Sequence, residues 1–83
     1  NQENFLKIYS VLNKNNFPIS DIKSFYYFDI GRWDVIMKDQ KIIKLPTKNF
    51  NESVKNFLRL KSEINFEKYK IFDYRIKDQL ILK

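Results

Sequence analysis

Ile71-Phe72-Asp73-Tyr74-Arg75-Ile76-Lys77-Asp78-Gln79-Leu80-Ile81-Leu82-Lys83 closes the chain and decides how the rest is arranged. From Ile71 to Ile76 the side chains alternate, with Phe72, Tyr74 and Ile76 on one side and Ile71, Asp73 and Arg75 on the other. That period of two, rich in β-branched and aromatic residues, predicts a strand over 71–76. Lys77-Asp78 predicts a turn, and 79–82 a second short strand. A closing strand with nothing downstream to cover it leaves an outer row of N–H and C=O groups unless an earlier segment pairs with it. Another chain's strand can add to such a row. The alternative is a terminal strand tucked inside the sheet.

Eighty-three residues make one domain, 1–83. A chain of this size buries roughly 60–65% of the surface its unfolded form exposes, so the core is modest. Eight Phe, five Tyr and one Trp compensate in part, because each ring buries a large area. No apolar run reaches the ~18 residues of a membrane span, and nothing resembles a signal peptide. Cysteine and histidine are both absent. Disulfides, thiolate chemistry, imidazole bases and the usual zinc or copper sites are thereby removed, and no metal or cofactor is expected. A cysteine-free chain suits either side of a membrane.

The formal charge of +6 is unevenly placed. Residues 1–40 carry five basic and five acidic groups, whereas residues 41–83 carry eleven basic and five acidic. An anionic partner is one reading of that excess. The other is genome composition. Thirteen of the sixteen basic residues are Lys, in a chain equally rich in Asn, Ile, Phe and Tyr, the residues that AT-rich coding favours.

Phe5, Ile8, Tyr9 and Leu12, widened by Leu6 and Val11, form one apolar stripe of a helix over 2–15. Asn15-Asn16 ends it, Asn tolerating the left-handed conformation, and Pro18 prevents its resumption. A chain that opens at Asn1 immediately before a helix reads as cut from something longer. Residues 22–30, with Phe25-Tyr26-Tyr27-Phe28, are apolar on both faces. They predict a strand covered on both sides or one with an aromatic outer face. Gly31 marks a bulge or bend. Residues 32–45 predict a hairpin turning at Asp39-Gln40, with Trp33 in the core and Ile43 and Leu45 inward. Pro46 ends it. Asn49, with Glu52 as the return partner of a capping box, opens a second helix over about 50–64. Its buried stripe is Val54, Phe57, Leu58 and Ile64, with Leu60 alongside. The order helix, three strands, helix, two strands predicts an α+β layer: an antiparallel or mixed sheet of about five strands with two helices packed on it. The second helix is a crossover that returns the chain beside an earlier strand.

Two patches in this spacing resemble the FtsQ/DivIB family of bacterial cell-division proteins. Gly31-Arg32-Trp33-Asp34-Val35 through Ile43-Lys44-Leu45-Pro46 is similar to that family's Trp-bearing hairpin with its Leu-Pro-like end. Ile71-Phe72-Asp73-Tyr74-Arg75 is similar to its terminal aliphatic-x-Asp-aliphatic-Arg strand. Both helices fall in the corresponding places, so the resemblance runs through most of the chain, although the identical residues are few. The family's members are single-span inner-membrane proteins with a POTRA domain and a C-terminal β domain outside the membrane. By that resemblance the chain is the later part of the β domain, on the periplasmic side. The span, the POTRA domain and the first β-domain strands are not in it.

The resemblance implies a non-enzymatic scaffold that binds FtsB/FtsL-type coiled-coil proteins, an FtsB-like partner adding a strand to the last strand of the domain. It makes Arg75 the first candidate contact, its planar fork holding a partner carboxylate. The competing role for Arg75 is an internal pair with Asp73 or Asp78. Ile76, Asp78, Gln79, Leu80, Ile81 and Leu82 then supply the edge and its pockets, and Arg59 meets a partner helix. Asp78 and Gln79 stand where the family commonly has small residues, which bears on the shape of the last turn.

Catalysis is not expected. No spacing pairs two carboxylates, no histidine serves as base, and one glycine cannot build a phosphate loop. The alternative from another class is a small basic module binding nucleic acid or another anionic surface. Phe25, Tyr26, Tyr27 and Phe28 beside lysines would stack bases and track phosphates. Against it stand the lack of a ribonucleoprotein motif and the scarcity of arginine, so no nucleic-acid partner and no small-molecule substrate is expected.

Overall fold

The computed structural model describes residues 2–83; Asn1, where the sequence suggests a cut, lies outside the described residues. Helix α1 (Gln2–Lys14) buries Ile8 and Leu12 completely and lays Phe5 and Val11 against the same core. Leu6, counted in the stripe above, is instead 58% exposed. It sits two positions before Ile8, and that spacing turns it off the buried face. The helix ends as a Schellman motif. Asn16 takes φ 56°, its N–H donates to Asn13 O at 3.0 Å, and the Phe17 N–H reaches back to Leu12 O at 2.9 Å. The motif delivers Phe17, which the sequence reading passed over, into the core.

Three antiparallel strands follow: β1 (Ile22–Phe28), β2 (Arg32–Met37) and β3 (Ile42–Lys44). β1 stops at Phe28 rather than Ile30 because 29–31 is a hairpin loop. Gly31, at φ 91°, donates its N–H to Phe28 O at 2.8 Å, the left-handed position such a loop requires. At the next turn Gln40 takes φ 77° and donates to Met37 O at 2.9 Å. Helix α2 (Phe50–Leu60) then crosses over, and β4 (Ile71–Asp73) enters parallel to β3. β5 (Ile81–Leu82) pairs antiparallel with β4, completing a five-stranded sheet in the order β1-β2-β3-β4-β5. The expected α+β layer, its antiparallel triplet and its crossover are therefore present.

The closing elements are shorter than the sequence suggests. α2 ends at Leu60, so Ile64, assigned above to its buried stripe, is 96% exposed in the loop beyond. The capping box is absent too. Asn49 sits at φ 58° with no side-chain cap bond, and Glu52 N–H bonds the Asn49 carbonyl at 3.2 Å instead. A box needs the cap residue in extended backbone, which Asn49 does not adopt.

One sheet face meets both helices. Val35, Met37, Ile43, Leu45, Phe72 and Tyr74 pack with Ile8, Leu12, Phe17, Val54 and Phe57 in a single cluster. Phe72 lies edge-on to Phe57 with ring centroids 4.9 Å apart, and 5.2 Å from Phe66. Tyr26, Phe28, Asp34, Ile36, Ile42, Lys44, Ile71 and Ile81 belong to the other face, outside that cluster. Among the described residues Lys41 is the one fully buried cation, 1% exposed, with its Nζ 2.8 Å from Glu67 Oε2 and 4.9 Å from the centroid of the Phe66 ring.

Two neighbouring truncations separate the observed helix face from the wider stripe. Ile8→Ala is expected to cost about 2–5 kcal/mol by leaving a cavity, and Leu6→Ala less than about 0.5 kcal/mol. Urea unfolding at constant slope measures both.

Candidate functional site

The segment after β4 is bent by its own side chains. Asp73 is buried, and its Oδ1 accepts the Arg75 N–H at 3.0 Å, a local turn that removes the backbone from the ladder. The Arg75 guanidinium closes on the same carboxylate, Nε to Oδ1 at 2.9 Å and Nη2 to Oδ2 at 2.7 Å. This is why β4 ends at Asp73 and not Ile76. Ile76, expected to continue the strand on the side of Phe72 and Tyr74, lies beyond its end and is 51% exposed. Tyr74 is the last residue tied to β3, its N–H donating to Lys44 O at 2.9 Å. Its hydroxyl donates to Asn56 Oδ1 of α2 at 2.7 Å. The turn falls near Lys77-Asp78 as expected, with Asp78 at φ 60° and the Gln79 N–H bonding Ile76 O at 3.1 Å. Leu80 leans back against the core, so regular pairing resumes only at Ile81, not Gln79.

β5 lies at one end of the sheet, and among the described residues no strand pairs with its outer side. Which groups face outward follows from the ladder. Ile71 and Lys83 exchange N–H···O bonds of 3.1 Å in both directions. Hydrogen-bonded and non-hydrogen-bonded pairs alternate in an antiparallel ladder, so Ile81 bonds Asp73 and the backbones of Leu80 and Leu82 point away.

A cleft of about 630 Å³ adjoins this edge. One wall is Arg75, Ile76, Lys77, Asp78, Gln79 and Leu80. The other is the loop 46–49 and the polar face of α2: Glu52, Ser53 and Asn56. Five candidates from the sequence, Arg75, Ile76, Asp78, Gln79 and Leu80, thus share one surface, and Ile81 and Leu82 continue it along the edge strand. Arg59 is exposed but does not line the cleft; its charge acts on the Tyr74 hydroxyl. The second wall was missed by sequence reasoning. Its signal is the spacing Asn49, Glu52, Ser53, Asn56, a polar stripe on one side of the helix that buries Val54 and Phe57.

The electrostatics are internal first. The Arg75 hydrogen bonds hold the Asp73 carboxyl below the ordinary carboxylate value of 3.8, outweighing the opposite push of burial. Of the two roles open to Arg75, the pair with Asp73 is the one formed, and it occupies Nε and Nη2. Burial pushes the Tyr74 hydroxyl up, with Arg59 acting the other way, so Tyr74 serves as a hydrogen-bond donor to Asn56. Phe25, Tyr26, Tyr27 and Phe28 do not form one platform. Phe25 and Tyr27 contact Trp33, whereas Tyr26 stacks on Phe28, whose ring is covered by Arg32 at 4.3 Å. No group of acidic side chains able to hold a metal ion occurs among the described residues. No helix among the described residues is long and apolar enough to cross a membrane.

No protein-family model, curated protein or solved structure matches the chain.

A carboxylate with a lowered folded pKa binds fewer protons folded than unfolded. Its stabilisation is complete above 3.8 and is lost as pH falls through the lower folded value. Arg75→Ala removes the main cause of the lowering. Denaturant midpoints should therefore differ between wild type and variant at pH 6, and converge as the pH falls through the lowered folded value.

Proposed function

We propose that this domain is a non-enzymatic scaffold of the bacterial division machinery that binds an extended segment of an FtsB/FtsL-type coiled-coil partner by strand addition to β5. The observation that carries the reading is the position of β5 at a sheet end, with the backbones of Leu80 and Leu82 directed outward. An added strand gains main-chain bonds there. Its side chains reach the cleft between 74–80 and the first turns of α2, where a short helical continuation of the partner has room.

Within that reading Arg75 is a register-setting residue rather than a free clamp. Asp73 pre-organises it, and the guanidinium edge away from Asp73 remains for a partner carboxylate or carbonyl. Ile76 and Leu82 offer exposed apolar surface on either side of the turn. The parent protein would carry this domain on the periplasmic side of the inner membrane through a single span outside these 83 residues.

Leu82→Pro tests the edge with little cost to the fold, because it deletes an outward N–H and leaves the Ile71–Lys83 bonds in place. Affinity for an FtsB-type peptide should fall about tenfold or more, close to 1.4 kcal/mol, by calorimetry. Leu80→Pro and Arg75→Glu should weaken it as well. Unchanged affinity in all three variants excludes β5 as the docking edge, and tight, salt-sensitive binding of single-stranded nucleic acid by wild type would favour the alternative module.

A further inference from the structure

The opposite end of the sheet is the longer free edge. β1 runs for seven residues, and among the described residues nothing pairs with its outer side. Trp33 and Met37 bond β3, through Leu45 N–H to Trp33 O at 3.0 Å and Met37 N–H to Lys41 O at 2.8 Å. The backbones of Arg32, Asp34 and Ile36 therefore face β1 and bond Phe28, Tyr26 and Ser24. Phe25 and Tyr27 are left with their N–H and C=O groups directed outward.

We propose that this edge is a homodimer interface, with β1 pairing antiparallel to β1 of a second copy about a twofold axis at Tyr26. The limits of the regular strand select that axis. A register shift between Ile22 and Ser24 breaks the strand on one side, and the hairpin loop begins at Asp29 on the other. The uninterrupted segment is 24–28, whose centre is Tyr26. In this register Phe25 exchanges ladder bonds with Tyr27 of the second copy, so both outward-facing residues are used. Tyr26 meets its own copy at a non-hydrogen-bonded position, where side chains approach most closely. Its ring is 58% exposed and held on the outer face by Phe28, with centroids 4.7 Å apart.

The flanking charges agree with the same axis. Lys23 and Asp29 are both exposed, and neither forms an ion pair among the described residues. They are equidistant from Tyr26, so each Lys23 falls beside Asp29 of the other copy, twice per dimer. Like charges face each other nowhere along 23–29. A strand from an unrelated chain has no reason to match this pattern, whereas a second copy matches it by symmetry.

Sedimentation equilibrium of the 83-residue chain at low salt is the test. Wild type should show a reversible monomer–dimer equilibrium. Tyr26→Lys, which puts two cations on the axis, should raise the dissociation constant at least about tenfold with an unchanged circular dichroism spectrum. Lys23→Asp should weaken the dimer, and adding Asp29→Lys should restore it. Because the chain holds no cysteine, Tyr26→Cys should oxidise to a disulfide-linked dimer while Ser24→Cys does not. A wild type that stays monomeric to millimolar concentration overturns the proposal. So does a dimer indifferent to Tyr26→Lys, or a Lys23→Asp defect that the second substitution fails to repair.

Discussion

The structure depends on where Phe72 goes. A three-residue strand cannot hold its place by backbone bonds alone, and β3 and β4 are each three residues long. What seats β4 beside β3 is the ring of Phe72, buried between Phe57 of the crossover helix and Phe66 of the loop that follows it. Burying a side chain of that size is worth roughly 1.5–3 kcal/mol, more than any one ladder bond contributes net. The aromatic contacts also tie the crossover to the strand it delivers, so the parallel pairing and the helix position form together. Lys41 marks the rim of this cluster. Its ammonium lies over the Phe66 ring and reaches Glu67 at the surface, so its aliphatic stem is buried while its charge keeps a partner.

Burial on one face leaves both sheet ends open. Among the described residues two helices cover the five strands on one side, no further element pairs with the sheet, and its terminal strands are β1 and β5. The two ends differ in kind. β1 is long and aromatic, with Lys23 as its one charged residue. β5 is two residues long and lies next to a polar cleft. Exposed edges in soluble domains are normally blunted by charge, proline or short length. β5 is blunted by length, and β1 scarcely at all, which makes the longer end the one that needs an explanation.

Much of this was legible in the residues. The spacing of Ile8 and Leu12, the alternation through Trp33, Val35 and Met37, and the crossover before Ile71 all locate elements where they occur. These signals are read from burial, and burial is dominated by side-chain periodicity. The errors share a different cause. Ile76 was assigned to the strand and Ile64 to the buried stripe of the helix because they continue an apolar pattern, but each lies past the point where the backbone leaves its element. In the first case a carboxylate accepting an N–H two residues later ended the strand; in the second the helix closed at Leu60. Local side-chain-to-backbone bonds do not appear in a periodicity, and the positions of Arg75 and Ile76 depend on one. The second wall of the cleft was hidden for a related reason. Asn49, Glu52, Ser53 and Asn56 are ordinary surface residues until the turn at 76–79 folds over beside them.

The arrangement of edges also connects the two proposed interaction surfaces. β1 and β5 are at opposite ends of one sheet, so a strand added at either does not compete with a strand at the other. Pairing through β1 would give a continuous sheet of ten strands with a β5 edge at each extremity. Each copy would then present its own cleft, related by the same axis. Two linked partner segments gain an effective concentration only where their linkage spans both clefts at once. A parallel two-stranded coiled coil offers its extended segments side by side, whereas this assembly would offer its slots far apart. Two separate partners per dimer is therefore the stoichiometry the geometry favours over one bridging pair.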